Sequence, residues 1–329
     1  MASRMIGVEI GSSTLKMSVS VGGRIKQMAY KRMPEDLVRE GRVTSAAAMT
    51  QFLVEMRKEF GIRPGPCALV LPGQAVISHQ VTMPVMNESE LLLNLPFEFR
   101  DFVGKDGAKF EYDYSVMSVK DGVMELYAAA CRKELVEEYY SIFKKAGLTL
   151  KVATPAEMAW LNLVRQASKQ DEDLCIVDIG HNLTRVNIFS GGNFVMGKDI
   201  EMGGALIDES IASTERIDPY VARTHKENNL NEVLTADYCV EAYQAIAIEV
   251  MKILNFYAYS TGEADKLNHL YCCGGSSVIE PLRTCILKAT GMTMHHVQRL
   301  VRLDGVDIDQ SVVCSLAAGA AVQSAMGGK

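Results

Sequence analysis

"IVDIGHNLTRVNIFSGGNFVMG", residues 176–197, reads as a buried strand, an Asp-Ile-Gly corner, an alternating strand, a Gly-Gly turn and a third strand. The chain opens with nearly the same sentence, "GVEIGSSTLKMSVSVGGRIKQM", residues 7–28. Laid together without a gap, Glu9 falls on Asp178, Gly11 on Gly180, Lys16 on Arg185, and Gly22-Gly23 on Gly191-Gly192. Alternation marks the strands and the glycine pairs mark tight hairpin turns. A single pair of copies so far apart indicates a duplicated domain and not a solenoid.

The segments outside the repeat extend the parallel. After the first copy, Ser45 precedes "AAAMTQFLVEMRKEFG", a helical pattern that stops at Gly61, and "CALVLPG" follows as a short buried strand. Between Val76 and Cys131 the pattern changes to an alternating "AVISHQVTMP", a capped "NESELLLNLPFEF", and a hairpin turning at Asp121-Gly122. The helix "KELVEEYYSIFKKAG" closes on lysines and Gly147, and "PAEMAWLNLVRQA" starts on Pro155. After the second copy come a helical block, a long amphipathic helix from Ala236, the strand "HLYCCGG" and a further helix. This predicts a first lobe at 1–168 with an α+β insertion at about 74–148, and a second lobe at 169–329 with a helical insertion at about 203–235.

Bulk properties narrow the class. A chain of 329 residues with 48% hydrophobic content suits about two domains. The net charge of -6 and the absence of long basic runs argue against nucleic acid as a partner and against direct attachment to anionic lipid. Eight cysteines without a C-x-x-C pair suit reduced, buried thiols in the cytoplasm, and six histidines show no metal-ligand spacing. No signal peptide is visible, and "VVCSLAAGAAV" from Val312 is too short to span a membrane, so it reads as a packed helix.

The corner "EIGSST" places hydroxyls and backbone N–H groups at a tight turn, where phosphate oxygens can be cradled. A carboxylate just before it, Glu9 or Asp178, can hold the water shell of Mg²⁺, which takes few protein ligands. Two such corners facing each other would clamp a triphosphate from both sides. In "YCCGGSSVIEPL", Gly274-Gly275 lets the chain pass close to a ligand's flat face, with Ser276 or Ser277 capping the next helix. Ordinary structural readings stand beside these: Lys16 as a strand lysine, Lys226 and Lys252 as solvated helix charges, Glu249 as the partner of Lys252 across one turn.

"GVEIGSSTLK", "VDIGHNLTRV", "EMGGALIDESIA", "CCGGSSVIEPL" and the inserted "PGQAVISHQVTMP" with "EYDYSVMS" are similar to the actin-like ATPase superfamily. Within it the chain resembles the PilM-type proteins of type IV pilus assembly, relatives of FtsA, from Ile6 to about Met326. The FtsA branch itself is less close, since no charged linker and amphipathic helix follow "GAAVQSAMGGK". The resemblance implies an α/β, duplicated actin-like (ribonuclease H-like) fold, two lobes around a nucleotide cleft, with ATP and Mg²⁺ as cofactors. It implies a first phosphate loop of Glu9, Gly11, Ser12, Ser13, Thr14 and Lys16 and a second of Asp178, Gly180, Asn182 and Thr184. Gly203 and Gly204 would lie near ribose and phosphates, Lys226, Glu249 and Lys252 at ribose and adenine, and Gly274, Gly275 and Ser276 beside the adenine. Glu9 and Asp178 would hold the metal through water, and they join Glu157 as candidates for a catalytic role.

The chain departs from the family pattern at Glu9, where Asp is usual, at His181-Asn182-Leu183, where small or hydroxyl residues are usual, and at Arg223, where Glu is favoured. Nucleotide binding is therefore expected, with at most slow hydrolysis. The implied function is a cytoplasmic scaffold that binds the cytoplasmic N-terminal tail of a bitopic, PilN-like inner-membrane protein and links it to the motor. The motor ATPase, the platform protein and further copies of the chain are other implied partners. Two alternatives are a nucleotide-free adaptor and a small-molecule kinase with Glu157 as base.

Overall fold

The computed structural model describes residues 3–167, 172–262 and 267–322. β1 (Arg4–Ile10), β2 (Thr14–Val21) and β3 (Arg24–Arg32) form an antiparallel meander in which Glu9 pairs with Lys16 across the first hairpin. A short ladder of β4 (Val38–Arg39) with β5 (Arg42–Val43) leads to α1 (Ala46–Glu59), whose first turn is capped by Ser45, and then to β6 (Gly65–Val70).

The insertion is a three-stranded sheet, β7 (Val76–Pro84), β8 (Phe110–Lys120) and β9 (Val123–Arg132), in the order β7-β9-β8. It is covered by α2 (Glu88–Glu98) and α3 (Arg100–Val103). α2 begins with a capping box between Asn87 and Glu90 and buries Leu91 and Leu95 against the sheet, which leaves Leu93 and Phe97 exposed. α4 (Lys133–Lys145), β10 (Leu148–Thr154) and α5 (Ala156–Gln166) complete the first half.

The second half repeats the plan with β11 (Leu174–Ile179), β12 (Thr184–Ser190) and β13 (Asn193–Ile200), and Asp178 pairs with Arg185 as Glu9 does with Lys16. Even the register shift recurs at the same step, between Val19 and Ser20 in one copy and between Ile188 and Phe189 in the other. Both Gly-Gly turns have positive φ, 59° and 77° in the first and 56° and 72° in the second, as a tight two-residue hairpin requires. The helices α6 (Gly204–Glu215), α7 (Pro219–Asn228) and α8 (Asp237–Thr261) follow, then β14 (His269–Cys273), α9 (Glu280–Thr290) and β15 (Thr293–His296). The sheets run β10-β6-β1-β2-β3 and β13-β12-β11-β14-β15, the same order in opposite senses. Two actin-like lobes result.

Two boundaries differ from the sequence reading. α4, expected inside the insertion, buries Tyr139, Ile142 and Phe143 in the first-lobe core with Met49, Leu53 and Met56 of α1, so the inserted sheet ends at Arg132. Its amphipathic pattern was legible, but the sheet that receives it was not. The last described elements are α10 (Ile308–Val313) and α11 (Ser315–Val322). α11, numbered with the second lobe, packs on β1 and α5 of the first. That approach is close enough that a Cβ on Gly7 would lie 1.8 Å from the Ala317 carbonyl oxygen. α5 and α11 are thereby shared, in one apolar cluster with Ile176, Phe189 and Tyr271 of the second sheet. Among the described residues no helix is long and apolar enough to cross a membrane.

Candidate functional site

A cavity of about 900 Å³ opens between the lobes, and both corners of the repeat line it. In each corner the glycine N–H closes the turn, Gly11 on the Thr14 carbonyl at 3.1 Å and Gly180 on the Leu183 carbonyl at 2.9 Å. Ser12, Ser13 and Thr14 line the first-lobe wall, and His181, Asn182 and Leu183 the second. The two cavity-lining corners present hydroxyls from one side only.

Charge is concentrated on the floor. Lys16 Nζ donates to Glu9 Oε1 at 2.5 Å, both side chains being buried. Burial pushes the Glu9 carboxyl above the usual carboxylate range, Lys16 opposes this, and Asp178 adds to it. For Lys16, burial works downward, but Glu9 and Asp178 outweigh it and hold the ammonium raised, so it stays charged. Glu9 Oε2 is buried without a hydrogen-bond partner, and the Asp178 carboxylate lies in the same wall. An orphaned carboxylate oxygen beside a second carboxylate suits a hydrated cation, and Lys16 with the Ser12–Thr14 hydroxyls suits phosphate oxygens. The residues therefore fit ATP with Mg²⁺, although Glu9 offers only Oε2, since Oε1 is taken by Lys16.

The second-lobe corner is braced from behind. Gly204 N–H donates to the Gly180 carbonyl at 3.0 Å and Ala205 N–H to the His181 carbonyl at 2.8 Å, so the start of α6 is plugged by the corner itself. A Cβ on Gly203 would lie 2.6 Å from the Gly180 and His181 carbonyl oxygens, and one on Gly204 2.4 Å from Ser276 Oγ, which is why both are glycine. Ser276 Oγ donates to the Gly180 carbonyl at 2.9 Å and Ser277 Oγ to the Gly274 carbonyl at 2.8 Å. Neither serine caps α9, whose N-cap is Ile279, because a short 3₁₀ turn over Gly275–Val278 intervenes. Lys226 Nζ donates to the Gly204 carbonyl at 2.7 Å and pairs with Asp208 at 2.6 Å. Burial lowers Lys226 and raises Asp208, each partly offset by the other. Burial, together with Arg223, Lys226 and Arg32, takes the His181 imidazole down to about 3, so it is neutral at pH 7.

The family model of the type IV pilus assembly protein PilM matches residues 7–312. The chain belongs to the PilM family. It is similar over all of its length, and all of the other's, to a chain of the PilM-PilN type IV pilus biogenesis complex, with TM-score 0.84 and 21% identity. It is similar to the ethanolamine utilization protein EutJ from Carboxydothermus hydrogenoformans, with TM-score 0.62 and 16% identity over 97% of this chain and 90% of that one. A third likeness is to MreB5 of Spiroplasma citri bound to ADP, with TM-score 0.57 and 12% identity over 98% and 97% of the two chains. At these identities the structures share the fold.

In this PilM-family chain the predicted residues divide. Glu9, Gly11, Ser12, Ser13, Thr14, Lys16, Asp178, Gly180, Asn182, Lys226, Gly275 and Ser276 line the cavity. Thr184, Gly203, Gly204 and Gly274 stand behind the wall, Thr184 donating to the Met202 carbonyl at 2.9 Å and Gly274 turning the chain at φ 89°. Glu249 and Lys252 are not in this wall; they pair with each other at 2.6 Å along the exposed side of α8. Glu157, the proposed kinase base, also lies outside the wall, and burial raises its carboxyl beside Tyr127. Sequence reasoning missed Glu227 and Asp208. The spacing of Arg223, Lys226 and Glu227 on one helix was a signal for the former; the pairing of Asp208 with Lys226 had none.

Proposed function

We propose that this member of the PilM family holds ATP with Mg²⁺ between its lobes and that the closed form captures the cytoplasmic N-terminal tail of a PilN-like membrane protein. It would thereby tie the membrane part of a type IV pilus, or of a related secretion machine, to its cytoplasmic motor, at the inner membrane and through that partner. One observation carries the nucleotide half: the duplicated corners at Gly11 and Gly180 line one and the same cavity. The partner half is supported by family membership and by the full-length likeness to a chain of a PilM-PilN complex.

Bound Mg²⁺ would supply neutralisation of the phosphate charge. The chain's own residues do the rest. The hydroxyls of Ser12, Ser13 and Thr14 and the ammonium of Lys16, which line the first-lobe wall, would face the polyphosphate. Asp178 and Glu9 Oε2 would hold the metal's waters, and Lys226 with Ser276 fixes the second corner from behind. A ligand gripped by both lobes favours their closed arrangement by its difference in affinity for the two states.

Purified protein should bind a fluorescent ATP analogue, and Asp178→Ala should weaken it at least about tenfold, roughly 1.4 kcal/mol. Unchanged affinity in that variant would sink the nucleotide half. A synthetic peptide from the N-terminus of a PilN-like protein should bind at micromolar strength or better, and no binding with or without ATP removes the partner half. The nucleotide-free adaptor is favoured by one observation, the commitment of Glu9 Oε1 to Lys16. It predicts peptide binding with no ATP signal.

A further inference from the structure

The two sides of the cavity are closed by different chemistry. On one side the lobes are fused by apolar packing, with α5 and α11 between the sheets and Tyr127 of the insertion edge-on to Phe194 of β13 at 5.1 Å. At the other side, α7 reaches the first lobe, with Tyr220, Arg223 and Glu227 spaced along it as i, i+3 and i+7 so that they share a face. Arg223 Nη2 donates to Ser13 Oγ at 2.9 Å, from the second lobe onto the first phosphate corner. In the opposite direction, Arg32 at the end of β3 pairs with Glu227 at 3.6 Å and lies over the Tyr220 ring at 4.7 Å. Glu227 is shared, since Arg223 Nε also donates to it at 3.1 Å.

We propose that Arg32, Tyr220, Arg223 and Glu227 form a latch across the mouth of the cleft, and that nucleotide enters and leaves only when this latch opens; the gating role rests on the nucleotide reading above. The latch is built to open. Its contacts are polar and partly exposed and the Arg32–Glu227 pair is long, so water readily replaces what is lost. The apolar side would have to expose core residues to part, which makes α7 the moving edge and α5 with α11 the hinge. Arg223 adds a coupling, because it holds the very corner that would contact phosphate.

Stopped-flow mixing of the full chain with a fluorescent ATP analogue tests this. Arg32→Ala and Tyr220→Ala should each raise the association and dissociation rate constants about 5-fold, the factor that an exposed contact of ~1 kcal/mol supplies. Their ratio should stay within about twofold, since the latch closes alike over the free and the bound cleft. Rates equal to those of the unmodified protein overturn the latch. So does a weakened affinity at constant association rate, which would make Arg32 a direct nucleotide contact. Hydrogen exchange of residues 11–14 in nucleotide-free protein should be faster in both variants, and this readout is independent of binding. If the unmodified protein takes up no nucleotide, the reading of the cleft falls and the gating role falls with it. The latch as a contact between the lobes is then decided by exchange alone, unchanged protection overturning it.

Discussion

Glu9 and Lys16 face each other across a hairpin, and burial makes each depend on the other. Removing one member of a buried ion pair leaves the other uncompensated, at a cost of about 3–5 kcal/mol. Lys16→Met should therefore destabilise strongly in urea titration, and adding Glu9→Gln should recover more than half of the loss; additive costs would contradict the coupling. His181 poses the opposite case, a base kept neutral by burial and by neighbouring cations. Its pKa falls from 6.5 to about 3 on folding, so between those values the unfolded chain binds a proton that the folded one does not. The stability it contributes is present above pH 6.5 and is lost as pH falls. The raised carboxyls of Asp208 and Glu157 act with the reverse sign, so the difference from a variant is the clean measure. His181→Gln should gain on the unmodified protein by up to about 1.4 kcal/mol per pH unit between pH 6 and 4 in thermal unfolding. At this scale the sequence revealed Glu9, Lys16, Asp178 and Gly180, because the repeat aligned them. It concealed Asp208, which lies four residues past Gly204 with nothing local to mark it.

Among the elements, α11 shows how far a pattern can mislead. Its eight residues read as a packed helix, which they are, but the numbering put them in the wrong lobe. Gly319 sits where a Cβ would lie 2.2 Å from the Ala159 carbonyl oxygen of α5. In an exposed helix Gly→Ala gains about 1 kcal/mol. Here Gly319→Ala should instead cost about 1–3 kcal/mol through overpacking, so thermal unfolding reads the sign directly. A gain would mean that α11 does not press on α5. The misplaced end of the insertion has the same cause: α4 displays an apolar stripe, and a stripe does not name its receiver. The serines after Gly275 were misread as caps because a 3₁₀ turn cannot be told from a helix start in so short a run.

For the molecule as a whole, a ligand that touches both lobes should stabilise the folded chain by mass action, about 2.7 kcal/mol at a concentration 100 times its Kd. The melting temperature should rise with MgATP in the unmodified protein and rise clearly less in Asp178→Ala at the same concentration; equal shifts in both would place the ligand away from the corners. What the sequence by itself determined was the duplication, the two corners, the three-strand run around each and the family, because alternation, glycine turns and a gap-free repeat are local signals that survive in one dimension. Only the tertiary structure decided that Glu249 and Lys252 stand clear of the cavity wall, that α11 crosses to the first lobe, and that Arg32 meets Tyr220 and Glu227 across the cleft. Those relations join residues far apart in the chain, and they follow from how whole elements pack, which no short stretch of sequence encodes.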